Sequence, residues 1–259
     1  MNLIQTFIKS LYSSVYIGRF RFHGIGKTIG YVFFLMLLAS IPSSILLTNT
    51  ILSVTDRIDD AFTDEIPDFT LEDGVLHSNQ DTPLINKENA ETIIFDSTGE
   101  MKESDIDNTS DTLALLREKI IIIDNGNKNT FRYEQAGDLQ LTKEDIVSMM
   151  STIESLLPIF IPVFLLILYL FSTALKFVGI TALSLFGLLI RNVAPLSLSY
   201  RHIWMLCAYT VTLPTILLSL AELLPFPLPG GFIIYWALAF IMLYQVYRHL
   251  PKPRKKATT

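Results

Sequence analysis

The stretch that decides the architecture is Ile29–Ile51, IGYVFFLMLLASIPSSILLTNTI. It contains no charged residue and is long enough, at about 20 residues of helix, to cross a hydrocarbon core of roughly 30 Å. An amphipathic lead precedes it, so it reads as a permanent anchor rather than a cleavable signal. Upstream, residues 1 to about 55 hold four bases (Lys9, Arg19, Arg21, Lys27) and no acid. Downstream the balance inverts. Residues 56–155 hold 24 of the 25 acids and eight of the 20 Lys and Arg, a net of −16. The rest of the chain carries 12 bases against the single acid Glu222. Charge divided this cleanly implies two compartments, with the acidic part outside and the basic parts inside.

The expected layout has five parts: a cytoplasmic amphipathic helix in 1–28, a first span in 29–52, and an acidic extracytoplasmic α+β domain in 53–150. A transmembrane bundle in 151–248 and a basic cytoplasmic tail in 249–259 complete it. Leu3, Ile4, Phe7, Ile8, Leu11, Val15 and Tyr16 share one helical stripe, which suits a helix lying on the inner leaflet or one packed on the bundle. The segment Leu156–Ile190 has one charge, Lys176, and is open to two readings. Five spans leave no loop and put Arg191, Arg201 and the tail outside. Four spans put every basic cluster inside, but make this segment about 50 Å of straight helix. A break near Lys176–Gly179 would relieve that length. The fold class expected is a membrane α-helical bundle, four spans favoured over five, with a small α+β domain.

Within 56–150, Phe69–Glu72, the Asp73-Gly74 turn and Val75-Leu76 read as a hairpin. Thr92–Phe95, Lys119–Ile123 and Thr130–Tyr133 read as strands, and Leu113–Glu118 as a short helix. Thr142, with Asp145 three residues on, caps a helix running from Lys143 into the next span. The only cysteine, Cys207, lies in an apolar run, so no disulfide staples the acidic domain.

Three residues stand out as functional candidates. Lys176 is a charge within an apolar run, either an intramembrane site or a lysine snorkelling to the inner interface. In the four-span reading it lies toward the inner side and Glu222 toward the outer side, so the two should not pair. Pro214 should kink its span, with Thr210, Thr212 and Thr215 re-satisfying carbonyls. Asp105-Ile106-Asp107-Asn108 and Asp56–Glu65 resemble a cation loop only loosely. His23-Gly24-Ile25-Gly26-Lys27 lacks the spacing of a phosphate loop. Asp96-Ser97-Thr98-Gly99 lacks the lysine of the phosphorylated loop of cation pumps. No catalytic set, cofactor motif or zinc set is legible, and nothing points to nucleic acid.

Ser10-Leu11-Tyr12-Ser13, Phe20–Lys27, Pro67–Leu76 and Ile94–Gly99 together resemble a domain-of-unknown-function family. Its members are membrane proteins of about 260 residues from Bacillus-type bacteria, some labelled maltodextrin-utilisation proteins. That resemblance implies a Gram-positive cell surface. Leu198–His202 followed by Ala208–Pro214 is similar, more weakly, to Yip-type membrane proteins of vesicle traffic. The function expected is that of a non-enzymatic, multi-pass plasma-membrane accessory protein with a cytoplasmic N-terminus. It would sit in the lipid bilayer, bind a membrane or envelope protein and leave room for self-association. A ligand sensor and a small-solute transporter component are the alternatives.

Overall fold

The computed structural model describes residues 2–251 apart from 61, 63, 64, 89, 90, 107–110, 125, 138, 139, 225 and 227. The chain divides into two compact units, Met1–Asn49 with Ile161–Thr259, and Thr50–Phe160. The basic tail beyond residue 251, Asp107, Asn108 and two prolines of the 225–229 loop lie outside the described residues.

The first unit is helical. Its helices are α1 (Leu3–Tyr12), α2 (Ser14–Phe20), the start of α3 (Ile25–Asp60), the later part of α4 (Lys143–Leu189), α5 (Tyr200–Thr210), α6 (Thr212–Ala221) and α7 (Gly231–Arg248). Among the described residues, four helical segments are long and apolar enough to cross a membrane: Ile25–Asp56, Lys143–Leu189, Tyr200–Ala221 and Gly231–Arg248. The break expected near Lys176–Gly179 is absent, because α4 runs unbroken to Leu189. Gly179 costs a helix interior only about 1 kcal/mol, too little by itself to interrupt a long run of good helix formers.

Polar side chains fix the helix registers. The Tyr31 hydroxyl meets Thr212, Thr28 meets Tyr209, and Ser219 donates to the Ala39 carbonyl, so α3 runs parallel to α5 and α6. Trp204 donates to Thr181, and Ser184 to Tyr200, so α4 runs antiparallel to α5. Gly187 allows the closest approach: a Cβ there would meet Ile203 Cγ2 and the Tyr247 hydroxyl at 2.8 Å. A small residue at a crowded helix crossing is a common way for membrane helices to pack.

The N-terminal stripe is split by Ser13 into α1 and α2. The buried edge of α1 is Thr6 and Ser10, while Ile4, Ile8, Tyr12 and Val15 remain exposed. The small polar edge therefore packs on the bundle and the apolar residues face outward. Phe7 still reaches α3, edge-on to Phe34 at 6.0 Å.

The second unit contains the ends of α3 and α4 and two sheets. One sheet is β2 (Val75–Ser78), β1 (Phe69–Glu72) and β8 (Leu141–Thr142), in that order. The other is β3 (Leu84–Glu88), β4 (Glu91–Asp96), β5 (Asp111–Leu116), β6 (Lys119–Asp124) and β7 (Asn127–Arg132), in sequence order. All pairs are antiparallel except β4 with β5. The Asp73-Gly74 turn has φ of 50° and 75° at its two residues, the paired left-handed conformation that such hairpin turns require.

Leu113–Leu116 is strand, not the expected helix. Phe95 and Leu115 face one apolar cluster, with Ile66, Phe69 and Leu76, whereas Ile94, Ala114, Leu116 and Ile121 face another with Ile106. A strand buried on both faces loses the polar alternation that would mark it. The Thr142 cap forms as expected: Thr142 N–H donates to the Asp145 carboxylate, and Asp145 N–H donates back to the Thr142 hydroxyl.

Candidate functional site

Two features could hold a ligand or a partner, one in each unit. In the helical unit, Pro214 has no N–H to give the Thr210 carbonyl, and the helix breaks at Val211 between α5 and α6. The neighbouring hydroxyls turn back onto carbonyls: Thr210 onto Leu206, Thr212 onto Tyr209 and Thr215 onto Val211. These bonds go to carbonyls beside the one that Pro214 frees, and not to the Thr210 carbonyl itself.

The break places Thr215 opposite Lys176. The Lys176 ammonium donates to Thr215 Oγ1 at 3.1 Å and to Tyr235 Oη at 3.3 Å, and lies 4.6 Å from the Tyr235 ring centroid. Three helices, α4, α6 and α7, contribute one side chain each. Lys176 is therefore not a lysine reaching for the basic end of the bundle. Counted along three helices, Lys176 to Arg191, Thr215 to Arg201 and Tyr235 to Arg248, the cluster lies about 20 Å from the basic residues. Tyr235 is only about 6 Å along α7 from Gly231, where that helix begins. Lys176 and Glu222 do not pair. Glu222 is exposed at the end of α6, about two turns beyond Thr215.

In the second unit, an apolar groove of about 410 Å³ opens between helix ends and sheet. Ile93, Leu113 and Ile122 line it from the five-stranded sheet; Ile58 comes from α3 and Ile146 and Met150 from α4. The helix residues recur at four-residue spacing, which puts one face of each helix over the strands.

The family described as "Protein of unknown function (DUF1189)" matches residues 4–246. The chain belongs to this family. No curated protein and no solved structure matches it. The DUF1189 match takes in both units, so groove and lysine cluster lie within one family architecture.

Several acids of the DUF1189 chain are put to structural use. Asp96 is buried at the end of β4. Its Oδ1 accepts from Thr98 N–H, the Thr98 hydroxyl and Gly99 N–H, and its Oδ2 accepts from Met101 N–H. Burial works against the ionised form, but these donors outweigh it and hold Asp96 below the usual carboxylate range. The Asp-Ser-Thr-Gly sequence is thus an anchored turn. Glu103 bridges Lys119 at 2.6 Å and Lys128 at 3.0 Å, and those hydrogen bonds pull it down to about 2. Asp105, part of the loosely suggestive cation loop, caps Lys102 N–H and accepts from Ser104. Among the described residues, no three His, Cys, Asp or Glu side chains converge as a metal site.

Thr215 and Tyr235 were not legible as partners of Lys176, because each lies on a different helix from it. The cue that pointed toward Thr215 was its threonine-rich setting around Pro214. Ile93 and Ile122 read only as strand residues, and Ile146 and Met150 only as parts of a helix.

Proposed function

We propose that this protein is a non-enzymatic membrane accessory protein whose 50–160 unit stands outside the cell membrane and binds a segment of a partner protein. The apolar groove over Ile93, Leu113 and Ile122 carries this reading. Its surroundings define the partner's chemistry. With a net of −16 over residues 56–155, the domain favours an apolar segment flanked by basic residues, since complementary charge steers encounter and selects partners. A groove of this size takes a few side chains rather than a whole domain face. The maltodextrin-utilisation label in the resemblance would make that partner a component of sugar uptake.

The test is site-specific photo-crosslinking in cells. A benzophenone amino acid replaces Ile122, which is 38% exposed at the groove, or Ile85, which pairs with Ile94 and so faces the other side of the sheet. A discrete adduct with one protein at Ile122, weakened by salt and absent at Ile85, supports the reading. Equal adducts at both positions, or none at Ile122, defeat it. The unbroken course of α4 from Lys143 to Leu189 favours a second reading, a sensor that relays binding inward. Cross-links between α4 and α1 that ignore ligand would count against that reading.

A further inference from the structure

We infer that Lys176, Thr215 and Tyr235 form a binding site for an anionic oxygen group, the phosphate of a lipid headgroup or a free phosphate-type anion. The argument begins with cost. An ammonium among apolar helices is expensive to place, and such residues face the bundle interior, pair with an opposite charge or mark a ligand path. Lys176 has the first property without the second. Its protein partners are two neutral hydroxyls, and among the described residues no carboxylate lies within 4 Å of its nitrogen. The only acid of the helical unit, Glu222, is exposed about 10 Å further along α6.

Donor accounting then fixes the sign of the ligand. The Thr215 hydroxyl proton is committed to the Val211 carbonyl at 2.6 Å, so its oxygen serves Lys176 as an acceptor. Tyr235 likewise accepts from Lys176. An ammonium has three N–H donors and no lone pair, and a phenol that accepts still has its O–H to give. The two protein oxygens take two of the three ammonium protons, and Thr215 lies within hydrogen-bond reach of the Tyr235 hydroxyl, so one Lys176 N–H is left to give. The surplus is in a donor and in positive charge. A cation or a hydrogen-bond donor gains nothing there, whereas an anionic oxygen satisfies both. Lysine commonly binds phosphate in this manner, as a point charge with rotatable donors.

Position narrows the source. Tyr235 lies about one turn into α7, near the end of the bundle away from Arg191, Arg201 and Arg248. An anion entering beside the start of α7 meets the ammonium about one turn along that helix, while α4 runs on for about 30 Å of apolar helix from Lys176 back to Leu156. The Tyr235 ring, with Lys176 over it at 4.6 Å, holds the side chain in place through a cation–π contact. Thr215, anchored on Val211, holds it as well. The inference rests on the helical unit alone and is independent of the groove.

The experiment uses the full chain in nanodiscs. In discs of phosphatidylcholine with phosphatidylglycerol, native mass spectrometry counts the phosphatidylglycerol molecules that stay with the protein. In discs of phosphatidylcholine alone, inorganic phosphate is titrated against thermal stability. Lys176→Gln removes the charge, and Tyr235→Phe removes one hydroxyl while keeping the ring. Phosphatidylglycerol kept by the wild type, lost in Lys176→Gln and held about tenfold more weakly in Tyr235→Phe assigns a lipid site; tenfold is the scale of one hydrogen bond to a charged group. The same pattern with inorganic phosphate alone assigns a soluble anion. Retention that is equal in all three proteins, or no response to either probe in the wild type, overturns the proposal. Should Lys176→Gln fail to fold, Tyr235→Phe decides by itself.

Discussion

Replacing Asp96 should loosen the five-stranded sheet by an amount that its hydrogen bonds set. In Asp96→Ala, the N–H groups of Thr98, Gly99 and Met101 and the Thr98 hydroxyl lose their acceptor together. A hydrogen bond to a charged group contributes about 1.5–3 kcal/mol, and such terms are not additive. Gly99 and Glu100 are exposed, so water can take up part of what the carboxylate leaves. The expected loss is therefore about 3 kcal/mol, well under the simple sum. Asp96→Asn keeps one neutral acceptor oxygen and should lose about 1.5 kcal/mol. Hydrogen exchange on the full chain in nanodiscs reads this directly. Amides of β4 and β5 that exchange through opening of the unit should speed up by about two orders of magnitude in Asp96→Ala and by about one in Asp96→Asn. The pH dependence has a definite sign. The folded pKa of Asp96 lies below its ordinary 3.8, so its contribution is present above that value and is lost as pH falls through the folded pKa. The gap between wild type and Asp96→Asn should stay constant at neutral pH and narrow below about pH 4. An Asp96→Ala protein whose β4 amides exchange within threefold of wild type would refute the reasoning.

Further outcomes follow from other sites. Among the described residues the buried Tyr133 hydroxyl has no hydrogen-bond partner, and burial pushes its pKa up. Tyr133→Phe should therefore leave thermal stability unchanged or raise it by up to about 1 kcal/mol. At Gly187 a methyl group already meets Ile203 and Tyr247 at 2.8 Å, so Gly187→Ala should cost about 1–3 kcal/mol. Gly187→Leu should abolish the monodisperse detergent-solubilised protein on size-exclusion chromatography. Glu103→Gln releases Lys119 and Lys128 and should lower the melting temperature slightly, less so in high salt. The wild-type carboxylate contributes fully above its ordinary 4.5 and loses its effect as pH falls through about 2. Acid titration of the melting temperature, wild type against Glu103→Gln, checks that sign.

What the sequence determined by itself is what local chemistry determines. Uncharged runs such as Tyr31–Leu47 must leave water, which makes the long apolar helices legible from composition. Asp73-Gly74 is a turn because few other pairs accept two left-handed residues, and Thr142 with Asp145 is a helix start because the cap closes within four residues. Tertiary structure decided what depends on distant neighbours. Leu113–Leu116 is a strand because β4 pairs alongside it in parallel and β6 antiparallel, with apolar clusters on both faces, a burial that erases the alternation a reader needs. Hydropathy alone left α4 with too much length and suggested a break, whereas the helix runs continuously from Lys143 to Leu189. The sequence marked Lys176 as unusual, but its surroundings come from α6 and α7, 39 and 59 residues away. Only the packing of three helices turned a stray charge into a cluster with a donor to spare, because hydrogen-bond partners are chosen by distance in space and not by separation along the chain.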